Sequence, residues 1–400
     1  MMRRFFCSVL VLCFSLGAFA QKNSYIFVWG GDDAKKDKDF LAVLNADAQS
    51  PDYGKVVASV AVPGPSGTSH HTEAEMPLGG FLLADAFESG QTSLFDLRKP
   101  LQPRLVTTFG DMHGYMHPHT YTRLPNGHIL ATFQYHGGHE PKSDGGGLVE
   151  FTQKGKFIRA GSAMDPSVKD EPIRPYSVVN LPKMDRAVST NMSMHFPTDG
   201  KTHTIQIWRL SDLKLLRTVA LPIGPGGTEQ MLPGEPHLLS DGKTVLIHTF
   251  SCGLYALNGI DSGNPQVRHA YSFDGKFCGV PLLIGHYWIQ TLSTAHSVAA
   301  YDISDLVHIR EVSRVTLNDK QSPHWIAADP DGRRILLNSG EYADHRMYIV
   351  NFDPATGALQ LDEKFRDPGS DQPGVSMDGK TWPHGFAGDA YGHGAVFSRE

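Results

Sequence analysis

The sequence predicts an all-β protein, a seven-bladed β-propeller closed by pairing of its N- and C-terminal strands. Three observations support this prediction: a motif that recurs along the chain, a four-strand pattern in each recurring unit, and two incomplete units at the chain ends. The composition agrees, because 41 glycines and 26 prolines among 400 residues indicate many turns between short apolar runs. Such a pattern is typical of all-β chains.

The recurring motif consists of a proline-containing approach, a short strand, a turn rich in Gly, Asp, Asn or Pro, and a second apolar strand. Successive copies start 43 to 61 residues apart, at Ser69, His117, Arg174, Glu235, Cys278 and Ser322. Each copy continues with two further strands, such as TSLFDL and RLVTTFG in the first unit. Four strands per unit at this spacing are the pattern of a propeller blade.

The two ends of the chain carry complementary fragments of a seventh blade. The segment WPHGFAGDAYGHGAVFS repeats the motif at His384 but stops after its second strand. The N-terminal region supplies SYIFVWGG, FLAVLNA and KVVASVAV without the motif. Pairing of the two fragments would close the ring and leave no open sheet edge. We therefore expect residues 21–400 to form one propeller domain rather than two β-sandwiches.

The first 20 residues have the pattern of a secretory signal peptide. Two arginines lie within residues 1–4, an apolar run covers residues 5–14, and Ala18-Phe19-Ala20 fits a cleavage site. A membrane anchor is the alternative, but the apolar run is shorter than the roughly 20 residues that a span needs. We expect a periplasmic or secreted protein that is not attached to a membrane after signal removal.

Charge and cysteine content limit the partners and the chemistry. The net charge is −6 and no basic cluster is present, which argues against a nucleic-acid partner. Removal of the signal peptide would leave Cys252 and Cys278 as the only cysteines. A structural disulfide, a buried free thiol and a redox pair are all open for these two residues.

Histidines recur where the first strand of each unit begins. In a propeller these strands line the central channel, so equivalent positions converge on the axis. The positions hold His71, His119, Tyr176, His237, Val280, His324 and His384. A proline precedes four of the five histidines and stiffens the chain there. Because a rigid ring of imidazoles suits a metal, we predict these ligands for one ion: His71, His119, His237, His324 and His384.

Imidazole donors without carboxylates suit copper, zinc, iron or nickel rather than calcium or magnesium. Copper is favoured over zinc for an exported protein. The alternative is that these histidines cap strands or bond to backbone carbonyl groups.

Several residues near these positions are predicted to support the ligands. The main candidates are Tyr176, Glu73, Glu235, His70 and His117. A carboxylate beside a metal-bound imidazole orients the ring or serves as a base, and Tyr176 would donate a hydrogen bond to a ligand or pack across the channel. His113, His136 and His139 are further candidates for a supporting role.

A set of motifs spread from Ser24 to Ser398 resembles the selenium-binding protein family. The motifs are SYIFVWGGD with DFLAVLNAD, HHTE, YMHPH, IRPYS, TFSCGLY, SPHW and WPHG. The resemblance implies a seven-bladed propeller and, for the exported bacterial branch, a copper-dependent methanethiol oxidase. Such an enzyme uses oxygen and water to convert methanethiol into formaldehyde, hydrogen sulfide and hydrogen peroxide. The axial histidines that the resemblance implies are His71, His119, His324 and His384, with His237 as a fifth candidate.

One departure from the family concerns selenium. The animal proteins bind selenium through an early cysteine, and no cysteine lies near the SHHTE motif of this chain. Selenium binding through that residue is therefore not expected. The favoured function is a copper-dependent oxidoreductase that acts on a small thiol such as methanethiol. The alternatives are a non-catalytic metal-binding or scaffold propeller and, third, a lactonase-like hydrolase, although such propellers usually bind calcium through carboxylate and amide ligands.

Overall fold

Strands make up nearly all of the regular structure. The computed structural model describes residues 24–138, 144–169, 171–194, 202–340 and 344–399. These ranges contain 31 strands and two 3-10 helices, and none of their helices is long and apolar enough to cross a membrane. The predicted signal peptide and His139 lie outside the described residues.

The strands form seven antiparallel four-stranded blades, as the sequence predicts. Blade 1 contains β4 (Ser69–Thr72), β5 (Phe81–Ala86), β6 (Gln91–Asp96) and β7 (Arg104–Phe109). Blade 2 contains β8 (Tyr115–Arg123), β9 (Ile129–His136), β10 (Gly147–Phe151) and β11 (Phe157–Ser162). Blade 3 contains β12 (Pro175–Leu181), β13 (Arg186–Asn191), β14 (Thr204–Arg209) and β15 (Lys214–Ala220). Blade 4 contains β16 (Pro233–Leu238), β17 (Val245–Thr249), β18 (Gly253–Asn258) and β19 (Gln266–Ser272).

The remaining three blades complete the ring. Blade 5 contains β20 (Pro281–Ile284), β21 (Tyr287–Leu292), β22 (Ser297–Asp302) and β23 (Arg310–Thr316). Blade 6 contains β24 (Trp325–Ala328), β25 (Arg334–Asn338), β26 (Arg346–Asp353) and β27 (Ala358–Leu361), and β28 (Val375–Ser376) also pairs with β26. Blade 7 contains β31 (Ala390–Phe397), β1 (Tyr25–Asp32), β2 (Phe40–Asn45) and β3 (Val56–Ala61). A small hairpin joins β29 (Lys380–Thr381) to β30 (Ala387–Gly388), and the 3-10 helices are Pro182–Met184 and Ser293–Ala295.

Pairing of the chain ends closes blade 7. The C-terminal strand β31 pairs with β1 from Ile26 opposite Phe397 to Asp32 opposite Ala390. β31 is the innermost strand of this blade, and it contacts β4 of blade 1 and β24 of blade 6. The predicted closure by N- and C-terminal strands is confirmed.

Burial of both faces explains the long apolar runs of the middle strands. Along β1, Ile26 and Val28 pack with residues of blade 6, while Phe27 and Trp29 pack with residues of blade 1. Both faces of the strand are therefore covered, so the hydrophobic pattern is continuous rather than alternating. The outermost strands are different: β7 alternates between exposed and half-buried residues because one face meets solvent.

The inner strands of blades 1 to 4 each contain a β-bulge at the same level of the channel. In each bulge, two inner-strand residues oppose one residue of the second strand. The bulge pairs are His70-His71, His119-Thr120, Tyr176-Ser177 and Gly234-Glu235. A bulge bends the strand and re-aims side chains, and these four bulges fix which side chains reach the axis.

The two mature cysteines form a disulfide bond. Cys252 follows β17 and Cys278 precedes β20, with Cα atoms 5.1 Å apart. The backbone N–H of Cys278 donates to the carbonyl oxygen of Phe250 at 3.0 Å. The disulfide bond thus links blade 4 to the start of blade 5. Of the three states that the sequence left open for these cysteines, the structure contains the disulfide.

Replacement of both cysteines by serine should lower the free energy of unfolding by about 2–4 kcal/mol, because the crosslink restricts the unfolded chain. The content of bound metal should not change, since neither sulfur belongs to the candidate metal-binding groups among the described residues. Urea unfolding and metal analysis of the double variant test this. Loss of metal from the variant would contradict a purely structural role.

Candidate metal centre

Five buried histidines from four blades meet at the axis. His70 and His71 belong to β4, His119 belongs to β8, His324 directly precedes β24, and His393 lies in β31. Their residues are 0% to 5% exposed. We call these five residues the histidine cluster.

The bulge in β4 supplies two of the five rings. Adjacent residues of a regular strand face opposite sides, but a bulge turns two neighbours toward the same side. The rings of His70 and His71 accordingly stack, with centroids 4.0 Å apart and an interplanar angle of 9°. His119 lies against both of them, at 4.9 Å from His70 and 4.3 Å from His71.

Two overlapping groups of ligand atoms are close enough to hold a metal ion. One group is His70, His71 and His119, and the other is His71, His324 and His393. Within each group the ligand atoms lie within 4.8 Å of one another. His71 is the residue common to both groups.

Burial favours the neutral form of four of these imidazoles. It lowers the pKa of His71, His119 and His393 well below the ordinary value, and the neighbouring histidines add to this effect in each case. Burial likewise lowers the pKa of His324 to about 3. Neutral imidazole is the form that binds metals.

Unsatisfied nitrogen atoms support the same conclusion. Nε2 of His71 and Nε2 of His119 are buried and have no hydrogen-bond partner among the described residues. An unpaired buried polar atom is unfavourable unless a water molecule or an ion satisfies it. The donor set, the burial and the unpaired atoms therefore fit a transition metal such as copper or zinc.

Asp85 is a site residue that the sequence analysis missed. It lies opposite the bulge of β4 and is fully buried. Its Oδ1 accepts the backbone N–H of His71 at 3.0 Å, and its Oδ2 lies 3.7 Å from Nδ1 of His70. Burial raises its pKa to about 6. The sequence feature that could have indicated Asp85 is the single carboxylate within the otherwise apolar strand FLLADA.

A cavity of about 500 Å³ leads to the cluster. His70 and His324 belong to its lining, together with the ring of Tyr176. The apolar part of the wall consists of Met192, Met194, Leu232, Phe250 and Phe277. The hydroxyl-bearing part consists of Ser193, Ser293, Thr294 and Ser322. Such a cavity suits a small, mostly apolar molecule next to the imidazoles.

His384 does not lie at the axis, so its predicted position is wrong. It is half-buried in the β29–β30 hairpin, where Nδ1 lies 2.7 Å from the hydroxyl of Ser59 on the outermost strand β3. The Pro-His pair there is a turn rather than the start of an inner strand. His393 occupies the axial place, with its ring 4.2 Å from that of His70.

Glycine explains why His393 can approach the cluster. A Cβ atom on Gly394 would lie 2.4 Å from the backbone nitrogen of Thr72 in β4. Only glycine therefore lets β31 pack this closely on blade 1. The GHG triplet inside a strand was the sequence signal for His393.

His237 is likewise not part of the cluster. The bulge of β16 makes Gly234, not His237, the structural equivalent of His119. His237 lies three residues further along the strand, with its ring 5.2 Å from Trp288. A bulge shifts the register between two paired strands, and a sequence repeat does not show this shift. The repeat therefore could not predict where His237 lies relative to the axis.

The residues that were predicted to support the ligands lie in different surroundings. Tyr176 is buried against His119, with ring centroids 3.8 Å apart. Glu235 accepts a hydrogen bond from the Ser177 hydroxyl, and burial raises its pKa to about 7. Neither Ser177 nor Glu235 belongs to the two candidate metal groups among the described residues.

Glu73, His117, His113 and His136 serve elsewhere. The carboxylate of Glu73 is buried and forms an ion pair with the half-buried Arg123, 2.7 Å from its Nε. Nδ1 of His117 lies 2.6 Å from the carbonyl oxygen of Phe87. His113 stacks on Phe157, and His136 lies against Tyr115. The side chains of these four residues therefore make these contacts with residues that do not belong to the histidine cluster.

Comparison with known proteins supports the resemblance that the motifs indicated. No protein-family model matches the chain. The chain is 27% identical over 360 residues to methanethiol oxidase from Hyphomicrobium sp., covering 83% of this chain and 79% of that protein. The crystal structure of a hypothetical selenium-binding protein from Sulfolobus tokodaii is similar, with a TM-score of 0.72, 16% identity, and coverage of 95% and 94%.

A putative 6-phosphogluconolactonase from Bacteroides fragilis has a TM-score of 0.61 and 15% identity, with coverage of 96% and 99%. At this identity the likeness concerns the fold alone. Fold and site together define the class as a seven-bladed propeller with a histidine-lined axis. Within that class, the chain is similar in sequence to the methanethiol oxidase and in fold to the selenium-binding protein.

Alanine variants should separate the cluster from the two misplaced histidines. Replacement of His71, His119, His324 or His393 should each lower the content of bound transition metal at least about 10-fold, because the rigid ring cannot replace a lost ligand. Alanine at His384 or His237 should leave the metal content at the wild-type level. Measurement of copper and zinc in the purified variants gives the result. Wild-type metal content in all four cluster variants would exclude this metal site.

The pH dependence of stability should also report the cluster. The pKa of His324 is about 3 in the folded protein and about 6.5 when unfolded, so between these values the unfolded state binds more protons. Its contribution to stability is thus complete above pH 6.5 and is lost as the pH falls. In metal-free protein, His324→Asn should reduce the pH slope of the unfolding free energy below pH 6 by about 1.4 kcal/mol per pH unit. Parallel slopes in urea titrations at pH 4 to 7 would contradict this assignment.

Proposed function

We propose that this protein is a copper-dependent oxidoreductase that acts on a small thiol such as methanethiol. The observation that carries the proposal is a cluster of five buried histidines beside a cavity of about 500 Å³ with apolar walls. The similarity to a methanethiol oxidase supports the choice of substrate.

The donor set favours copper. Both candidate groups consist of imidazoles alone, without a carboxylate among the ligand atoms. Imidazoles suit copper and zinc, and copper is the one that undergoes redox change. His71 would be the ligand common to both groups, with His119, His324, His393 and His70 supplying the others.

The proposed overall reaction balances without a further reductant. Methanethiol, dioxygen and water give formaldehyde, hydrogen sulfide and hydrogen peroxide, so the carbon is oxidised by two electrons and dioxygen accepts them. Copper bound here would supply the electron transfer between thiol and dioxygen. The side chains around the site would bind the substrate and orient the ligands.

The cavity walls would bind and orient the thiol. The side chains of Met192, Leu232 and Phe250 offer an apolar surface for a methyl group and exclude water from it. On the other side, His70 and His324 bring polar nitrogen-bearing rings into the same cavity. A small thiol would therefore lie with its methyl group on the apolar wall and its sulfur toward the imidazoles.

Asp85 would hold the cluster in its working geometry. It accepts the backbone N–H of His71 and lies 3.7 Å from Nδ1 of His70. A buried carboxylate beside an imidazole fixes the orientation of the ring and raises its strength as a ligand. Tyr176, packed on His119, would prevent that ring from turning.

Export is part of the proposal. The signal-peptide pattern of residues 1–20 predicts secretion, and the Cys252–Cys278 disulfide is of a kind that persists in oxidising compartments. A periplasmic or secreted location would give the enzyme access to copper and dioxygen.

Copper-loaded protein should release hydrogen peroxide, formaldehyde and sulfide in equal amounts when methanethiol is added in air. Metal-free protein and the His71→Ala variant should release none, whereas the His384→Ala variant should match the wild type. Coupled peroxidase, formaldehyde and sulfide assays measure the three products. Tight copper binding without turnover would instead favour the non-catalytic metal-binding alternative.

A further inference from the structure

The four bulges share one hydrogen bond, and only in blade 4 is its acceptor a nitrogen atom. In every bulge the backbone N–H of the second bulge residue donates to the side chain opposite it. In blade 1 the acceptor is Asp85, and in blades 2 and 3 it is Thr132 at 3.1 Å and Thr190 at 3.2 Å. In blade 4 the acceptor is Nδ1 of His248, 2.8 Å from the nitrogen of Glu235.

This bond favours one tautomer of His248. Nδ1 of His248 lies 2.8 Å from the backbone nitrogen of Glu235 and 3.4 Å from its carbonyl oxygen. The shorter contact is with the N–H, which can only donate, so it favours a lone pair on Nδ1. A neutral imidazole with a free lone pair on Nδ1 carries its proton on Nε2. Burial lowers the pKa of His248 to about 3, so the ring is neutral and Nε2–H is its single donor.

Gly234 leaves room for the His248 ring beside the inner strand of blade 4. A Cβ atom on Gly234 would lie 2.1 Å from Cε1 and 2.7 Å from Nε2 of His248. The imidazole thus fills the space of the missing Gly234 side chain. The structural equivalents of Gly234 are His70, His119 and Tyr176, whose rings all reach the axial site. A second-strand histidine therefore takes the inward position of blade 4.

The donor is buried and has no protein partner. His248 is 0% exposed, and its Nε2 forms no hydrogen bond within the described part of the chain. The equivalent residue of blade 2 differs, because the Thr132 hydroxyl donates to the carbonyl oxygen of Tyr176 at 2.7 Å. A threonine would satisfy the bulge equally well, so the bulge alone does not explain a histidine.

The nearest rings connect His248 to the cavity. Its ring lies 5.1 Å from that of Phe250, which lines the cavity. Phe250 in turn lies 6.0 Å from His324 and 5.6 Å from Tyr176. His248 is outside both candidate metal groups, and its tautomer leaves no lone pair on Nε2 for a metal.

We propose that His248 is a positioning residue whose Nε2–H donates a hydrogen bond to an anionic ligand of the axial site, such as a thiolate. The inference rests on the proposed function, because the metal draws the anion to the site. A fixed neutral donor beside a cation favours an anion over a neutral molecule of the same size. His248 would thereby help to select the thiolate form of the substrate.

Azide binding to the Cu(II)-loaded protein tests this donor. His248→Thr keeps an acceptor for the Glu235 N–H, as in blades 2 and 3, but removes Nε2–H. It should raise the azide dissociation constant about 10-fold or more. His248→Gln, whose amide can restore a donor, should recover most of the affinity. Thr190→Val, which removes a bulge acceptor in blade 3, is the matched control and should bind azide like the wild type.

Two further measurements distinguish failure of the proposed function from failure of the inference about His248. Copper content should be unchanged in all three variants, and absence of copper from the wild type would overturn the proposed function together with this inference. Normal copper content with unchanged azide affinity in His248→Thr would overturn the inference alone. In metal-free protein, ¹⁵N NMR should find the His248 proton on Nε2, with the signal assigned by its loss in the variants. A proton on Nδ1 would also overturn the inference.

Discussion

The pairing of β31 with β1 is the constraint on which the axial site depends. This pairing closes the ring, and the same strand carries His393 into the centre of the molecule. Gly394 allows β31 to lie against β4, so the two rings of that bulge and His393 come together. If the ring were open, an inner strand would be lost from blade 7 and one donor from the site.

Burial of so many imidazoles is unfavourable in the absence of a ligand. Burial removes the hydration of the rings and lowers the pKa of His71 and His393, and the neighbouring rings add to this effect, which favours the neutral forms of these two residues. The surrounding blades must offset this with their apolar cores, in which Trp29, Trp208 and Trp288 are fully buried. Such a concentration of poorly satisfied polar groups is typical of a site that is completed by a ligand.

The β-bulges turn a simple repeat into a set of different side chains at one level. Because each bulge opposes two residues to one, a blade can present its first bulge residue, both residues, or neither. Blade 1 presents His70 and His71, whereas blade 4 presents glycine and fills the space with His248 from the next strand. Chemical asymmetry thus arises within a nearly symmetric ring.

The sequence by itself determined the fold class, the number of blades and the way the ring closes, because turns, apolar runs and complementary ends are local signals. It also pointed to His71, His119 and His324. Only the tertiary structure decided that His393, not His384, reaches the axis, and that Gly234 replaces His237 there. Register at a bulge and close approach between distant strands depend on packing across blades, which a linear repeat does not record.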